Sequence, residues 1–171
     1  INDAKIRLLF FFFLLQYDRA IRVLSLCPSL EKIIIFDRNV KRDEQDKMSV
    51  YFDEFLELGK GLPRQSEVDA RCKDANEEDL ANILYTSGTT GNSKGVMLTH
   101  GQYNNALLAN AECVPIDDKD RTINFLPFAH IFEKAWTILN LTVGATLIVN
   151  TYPQEIQQSM RETQPTCMSA V

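Results

Sequence analysis

Short apolar or β-branched runs alternate with segments of helical period along almost the whole chain, joined by short links. Strands are expected at 6–15, 30–37, 81–86, 95–98, 122–126, 145–149 and 166–171, where four to eight apolar residues stand between turn residues. Helices are expected at 17–26, 49–58, 100–112, 131–141 and 153–163, where apolar or small positions recur every three or four residues. Cys27-Pro28, Gly59 to Pro63, Gly144 and Pro165 punctuate them. Residues 38–48 read as a solvated loop and 64–79 as a polar, acidic surface connection, partly helical. Alternation of this kind predicts an α/β fold: a largely parallel sheet with flanking helices.

The 171 residues are enough for one domain with one sizeable core. At 45% apolar and 24% charged the composition is that of an ordinary globular protein. The net charge of -5, with no basic block, argues against nucleic acid as a main partner and gives no pull toward anionic lipid. Cys27, Cys72, Cys113 and Cys167 are too far apart for a zinc or thioredoxin spacing and suit a reducing cytoplasm. The run Leu8 to Leu15, with four consecutive phenylalanines, is too short to span a membrane. No small-residue cleavage site follows it, so a fully buried strand is expected. The start at Ile1 and the end at Val171, inside an expected strand, read as cuts from a longer protein.

The most informative stretch is Thr86-Ser87-Gly88-Thr89-Thr90-Gly91-Asn92-Ser93-Lys94-Gly95, directly after an expected strand. Its glycines allow left-handed turns and a close approach to a ligand. Consecutive turn amides can converge on phosphate oxygens. Thr86, Ser87, Thr89 and Thr90 add hydroxyl donors, and Lys94 adds a flexible positive charge. The stretch is not Gly-x4-Gly-Lys-Ser/Thr, because Ser93 stands where the second Gly is needed, four intervening residues after Gly88, and Gly95 follows Lys94. It is not Gly-x-Gly-x-x-Gly either. On composition alone a plain Gly/Thr surface loop remains equally open.

The full string Tyr85 to Val96 closely resembles the signature of the adenylate-forming superfamily, which includes acyl-CoA synthetases, peptide-synthetase adenylation domains and luciferases. Ser93 stands where that family usually has Pro, which implies a less stiff loop. A second segment, Asn124-Phe125-Leu126-Pro127-Phe128-Ala129-His130-Ile131-Phe132-Glu133-Lys134, resembles the Leu-Pro-x-Ala-His-x-Phe-Glu pattern of long-chain fatty acid:CoA ligases. Cys27-Pro28-Ser29-Leu30 before Ile33-Ile34-Ile35-Phe36-Asp37 is similar to the same subfamily, so the resemblance covers nearly the whole chain. The apolar run from Phe10 to Leu15 departs from it, since relatives turn polar there.

The resemblance implies a part of the large N-terminal AMP-binding domain of such a ligase. The implied reaction has two steps: a fatty acid carboxylate attacks the α-phosphate of ATP, and coenzyme A then displaces AMP. Thr86, Ser87, Gly88, Thr89, Thr90, Gly91 and Lys94 would hold ATP phosphates, with Mg²⁺ and Lys94 offsetting their charge. His130 would sit beside the acyl carboxylate and chain, with Glu133 on the same side of the helix. Without the resemblance, His130 is a helix-start histidine bonded to backbone, His100 a residue that caps or packs the helix after the loop, and Trp136 a core residue. No Tyr-Gly-x-Thr-Glu or Thr-Gly-Asp segment, which the family uses for Mg²⁺ and ribose, occurs in the chain. The chain alone is therefore expected to be inactive. Two other readings stay open: a nucleotide-binding module without ligation chemistry, and a structural piece whose loop is a vestige. Partners implied are ATP, fatty acid and coenzyme A, with peripheral membrane contact in the parent protein also open.

Overall fold

A computed structural model describes residues 1–87, 91 and 93–170. The chain divides into two compact units, Ile1–Lys73 and Asp74–Val171.

The first unit holds β1 (Leu8–Phe11), α1 (Leu14–Val23), β2 (Lys32–Ile35), β3 (Ser49–Tyr51), α2 (Phe52–Glu57) and α3 (Gln65–Asp74), which reaches its boundary. The three strands form one parallel sheet in the order β1-β2-β3. The central strand is flanked on both sides, and Ile33, Ile34 and Ile35 are fully buried, as its unbroken β-branched run predicts. Phe11, Tyr17, Ala20, Cys27, Leu30 and Val40 complete the core with Ile33 and Ile35.

The expected fully buried strand at 6–15 is four residues long with Phe11 its one buried residue; Leu8 and Phe10 are exposed, and so is the rest of the apolar run. Phe12, Phe13, Leu14 and Leu15 are 52–68% exposed. The partner strand β2 ends at Ile35, so pairing stops at Phe11. The side chain of Gln16 then accepts hydrogen bonds from the Phe12 and Phe13 amides, at 3.1 and 3.2 Å, and turns the chain into α1. Phe12 stacks on Phe36 at 4.4 Å between ring centroids, and Phe36 lies 4.6 Å from Phe52. The expected helix at 49–58 is likewise divided, because Val50 and Tyr51 pair with β2 before α2 begins.

The 38–48 loop is tied down by a buried phenol. Tyr17 Oη donates to Asp46 Oδ2 at 2.7 Å and accepts from the Asp43 amide at 2.8 Å. Burial pushes this phenol up to about 12; the Asp46 and Asp43 carboxylates add to the shift and the Asp43 amide opposes it. The folded value lies above the ordinary 10.0. The stabilisation is therefore complete below pH 10 and lost as pH rises through about 12. Tyr17→Phe is expected to cost about 1–2 kcal/mol, read in urea melts. An absorbance titration of phenolate should lose its latest-ionising tyrosine in the variant; an unchanged alkaline limb contradicts the assignment.

The second unit contains β4 (Leu80–Thr86), β5 (Lys94–Thr99), α4 (His100–Cys113), β6 (Arg121–Asn124), α5 (Ile131–Val143), β7 (Thr146–Val149), α6 (Ile156–Thr163) and β8 (Cys167–Met168). β7, β6 and β8 form a parallel sheet with β6 in the centre, where Thr122 and Ile123 are fully buried. β4 and β5 are instead an antiparallel hairpin. The 87–93 link is too short for a parallel crossover, which needs a dozen residues or more. The strand before the Gly/Thr loop is thus one arm of a hairpin. It is not a member of a parallel sheet, contrary to what the alternation of elements predicts. α4 is capped by Thr99, not His100: Thr99 Oγ1 accepts from the Gln102 amide at 3.3 Å and Gln102 Oε1 from the Thr99 amide at 2.9 Å. Among the described residues, no helix is long and apolar enough to cross a membrane.

Candidate functional site

The β4–β5 register sets the two ends of the loop opposite each other. Thr86 pairs with Lys94, Tyr85 with Gly95, and Leu84 with Val96. Directly opposed residues share a face and alternate residues repeat it, so Leu84, Thr86, Lys94, Val96 and Leu98 lie on one side of the hairpin. Of the expected phosphate-binding residues, Gly88, Thr89 and Thr90 lie outside the described residues. Gly91 has φ +85°, the left-handed conformation expected of a loop glycine. Gly95 serves differently. A Cβ there would stand 2.9 Å from Ile83 Cγ2 and 3.2 Å from Tyr85 Cζ, so its bare Cα lets the Tyr85 ring lie across the strand pair. Thr86, Ser87 and Lys94 are exposed.

The second sequence segment arrives at the same place. A cleft of about 440 Å³ is lined by Leu84, Tyr85, Thr86, Ser87, Val96 and Leu98 from the hairpin and by Ala129, His130 and Ile131 from the start of α5. His130 is the N-cap of α5: its Nδ1 accepts from the Phe132 amide at 3.3 Å. In the neutral imidazole this leaves the proton on Nε2. The backbone-bonded reading of His130 thus holds, and the same residue lines the cleft. Beyond it lies an apolar pocket of about 340 Å³, lined by Leu126, Pro127, Ala129, His130 and Phe132. Ala129 and His130 belong to both walls.

Glu133 is placed elsewhere. It is 1% exposed and lines neither cavity. Its Oε2 accepts from Ser169 Oγ at 3.2 Å, and no hydrogen bond joins it to His130. Burial raises its carboxyl above the ordinary carboxylate range. The Ser169 hydroxyl and the Phe125 amide, the latter short of full hydrogen-bond geometry, pull the other way. A polar seam continues along α5. Trp136 Nε1 donates to Thr122 Oγ1 at 2.8 Å, Asn124 Nδ2 donates to Thr137 Oγ1, and Thr137 Oγ1 donates to the Glu133 carbonyl at 2.8 Å. The bond from Trp136 to β6 fits its expected core role.

The structure therefore brings Thr86, Ser87 and His130 to one cleft and sets Lys94 opposite Thr86. Sequence reasoning did not single out Leu84, Val96, Leu98 or Ser169. Reading the loop as a hairpin turn would have found the first three by their alternation. No local pattern marks Ser169.

Known proteins share the family and the fold. The family model described as AMP-binding enzyme matches residues 1–171. Long-chain-fatty-acid–CoA ligase 1 of Saccharomyces cerevisiae is 33% identical over 141 residues, covering 77% of this chain and 20% of that protein. A long-chain-fatty-acid-CoA ligase of Archaeoglobus fulgidus superposes with a TM-score of 0.69 at 24% identity, covering 98% of this chain and 30% of that one. ATP-bound MatB of Rhodopseudomonas palustris gives a TM-score of 0.65 at 21% identity, covering 97% and 30%. The chain spans about a fifth of the length of the curated relatives it matches. The two motifs, the cleft they share and the match along all 171 residues lead to one statement: this chain belongs to the AMP-binding enzyme family.

Proposed function

We propose that this chain is part of a long-chain fatty acid:CoA ligase, within its large N-terminal AMP-binding domain. In this reading the protein activates a fatty acid with ATP to an acyl-adenylate and transfers the acyl group to coenzyme A. The observation that carries the proposal is the meeting of Thr86 and Ser87 with His130 in one cleft, next to an apolar pocket of about 340 Å³. Polyphosphate needs hydroxyls and a cation, which Thr86, Ser87 and Lys94 supply at the hairpin end. An acyl chain needs an apolar cavity, and one adjoins the cleft at Ala129 and His130. The α-phosphate and the carboxylate would then meet between the two, as a displacement at phosphorus requires.

Within that reaction Thr86 and Ser87 donate hydrogen bonds to the departing pyrophosphate, and Lys94 offsets its charge. His130, its ring set by the Phe132 amide, presents Nε2–H toward the carboxylate. Mg²⁺ supplies further charge neutralisation when bound. No carboxylate lines the cleft among the described residues, so the ion would arrive on the nucleotide or be held from elsewhere in the protein. None of the steps assigned to these side chains runs through it.

The test is thioester formation from ATP, palmitate and coenzyme A. The full-length protein is expected to release AMP and pyrophosphate and to form palmitoyl-CoA. The 171-residue chain alone is expected to form none, because it has no Tyr-Gly-x-Thr-Glu or Thr-Gly-Asp segment. Turnover by the isolated chain refutes the second expectation. ATP binding by the full-length protein with no AMP release under any acyl acid would favour a non-catalytic nucleotide-binding module.

A further inference from the structure

We propose that Glu133 is a positioning residue that ties the carboxyl ends of β6 and β8 together from inside α5, and so holds the 125–130 segment that carries His130 to the cleft. The inference rests on the ligase reading for its kinetic consequences but not for its structural ones.

Glu133 is the one charged residue type among the buried residues described. Burying a carboxyl costs free energy that a leucine or methionine at the same place would not. Its hydrogen bond to Ser169 spans 36 residues of sequence. Ser169 directly follows β8, and Phe125, whose amide faces the same carboxyl, directly follows β6. The Glu133 carboxyl thus bonds the residue after β8 through Oε2, and the β6–β8 pairing sets that residue beside the end of β6; Oε1 makes no hydrogen bond.

The other polar bonds of α5 do not do this. Trp136 and Thr137 reach only β6, through Thr122 and Asn124. Glu133 is the member of the seam nearest the helix start, three residues from the His130 cap. The 125–130 segment therefore has both ends set by the first turn of α5: Phe125 beside the Glu133 carboxyl, and His130 by its bond to the Phe132 amide. The hairpin is not part of this tie. Loss of Glu133 should move the acyl side of the cleft and leave the phosphate side in place.

The experiment compares Glu133→Gln, Glu133→Ala, Ser169→Ala and the Glu133→Ala/Ser169→Ala double variant of the full-length protein. A glutamine oxygen still accepts from Ser169, so Glu133→Gln is expected within about threefold of the parent kcat/KM. Glu133→Ala is expected to raise the KM for palmitate about tenfold or more, with the KM for ATP within about twofold. Ser169→Ala should shift the same parameter less. The double variant should be no worse than Glu133→Ala, because the two side chains act as one unit.

If Glu133→Ala does not accumulate as folded protein, Ser169→Ala and Glu133→Gln carry the same comparison. Equal damage from Gln and Ala, parallel rises in both KM values, or additive effects overturn the proposal. If the full-length protein makes no thioester, the ligase reading fails. The tie is then judged by unfolding midpoints alone: non-additive shifts support it and additive shifts refute it.

Discussion

Lys94→Ala in the full-length protein is expected to lower kcat/KM for thioester synthesis by about 10²- to 10³-fold, the usual scale for removing one preorganised stabiliser of developing charge. Lys94 opens β5 directly opposite Thr86, on the hairpin face that turns toward the cleft. Among the described residues no carboxylate forms an ion pair with it. A cation held on a rigid strand end beside hydroxyl donors strengthens binding where pyrophosphate charge grows. The loss should therefore appear in kcat as well as in the KM for ATP, while the melting temperature stays near that of the parent, since the side chain is exposed. Lys94→Arg should recover part of the rate, because the charge is kept but its compact geometry is not. Steady-state kinetics with ATP varied at saturating palmitate decide the point. Activity within threefold of the parent would mean that the loop is a vestige.

Gly95→Val is expected to destabilise the hairpin by about 1–3 kcal/mol, the range for overpacking a closed site. It should also raise the KM for ATP more than the KM for palmitate. The ideal Cβ position lies 2.9 Å from the Ile83 methyl and 3.2–3.3 Å from the Tyr85 ring. Valine adds two further methyl groups to that contact, so Ile83, Tyr85 or the strand pairing must shift. The nearest pairing, Thr86 with Lys94, is one residue away. Displacing it separates the hydroxyl donors from the ammonium. Gly95→Ala should show the same direction with a smaller amplitude. A valine variant with parent-like melting and parent-like ATP dependence would show that the close contact is not needed.

These two expectations draw on different kinds of information. Lys94 stands out as a cation in a Gly/Thr loop after a strand, which local sequence displays. The demand on Gly95 is invisible locally, because it comes from Ile83 and Tyr85 on the facing strand. Helices α4 and α5 lie within two residues of their expected bounds, since apolar spacing and Gly144 are short-range signals. The helix expected at 49–58 was half wrong: whether Val50 and Tyr51 join a strand depends on β2 being beside them. The phenylalanine run shows the same limit. An apolar run reads as buried, yet its length in strand is capped by a four-residue partner, and the remaining side chains stay exposed.

The amino-acid sequence by itself determined the α/β alternation, the position of the Gly/Thr loop after β4 and the helix start at His130. Each of these follows from period, turn chemistry or caps within a few residues. Only the tertiary structure decided that β4 and β5 are antiparallel, that Thr86, Ser87 and His130 share a cleft, and that Glu133 turns inward to Ser169. Those outcomes rest on which distant segments pair and which face each side chain presents. Hydrogen-bond register and burial set both, across separations that no local pattern spans.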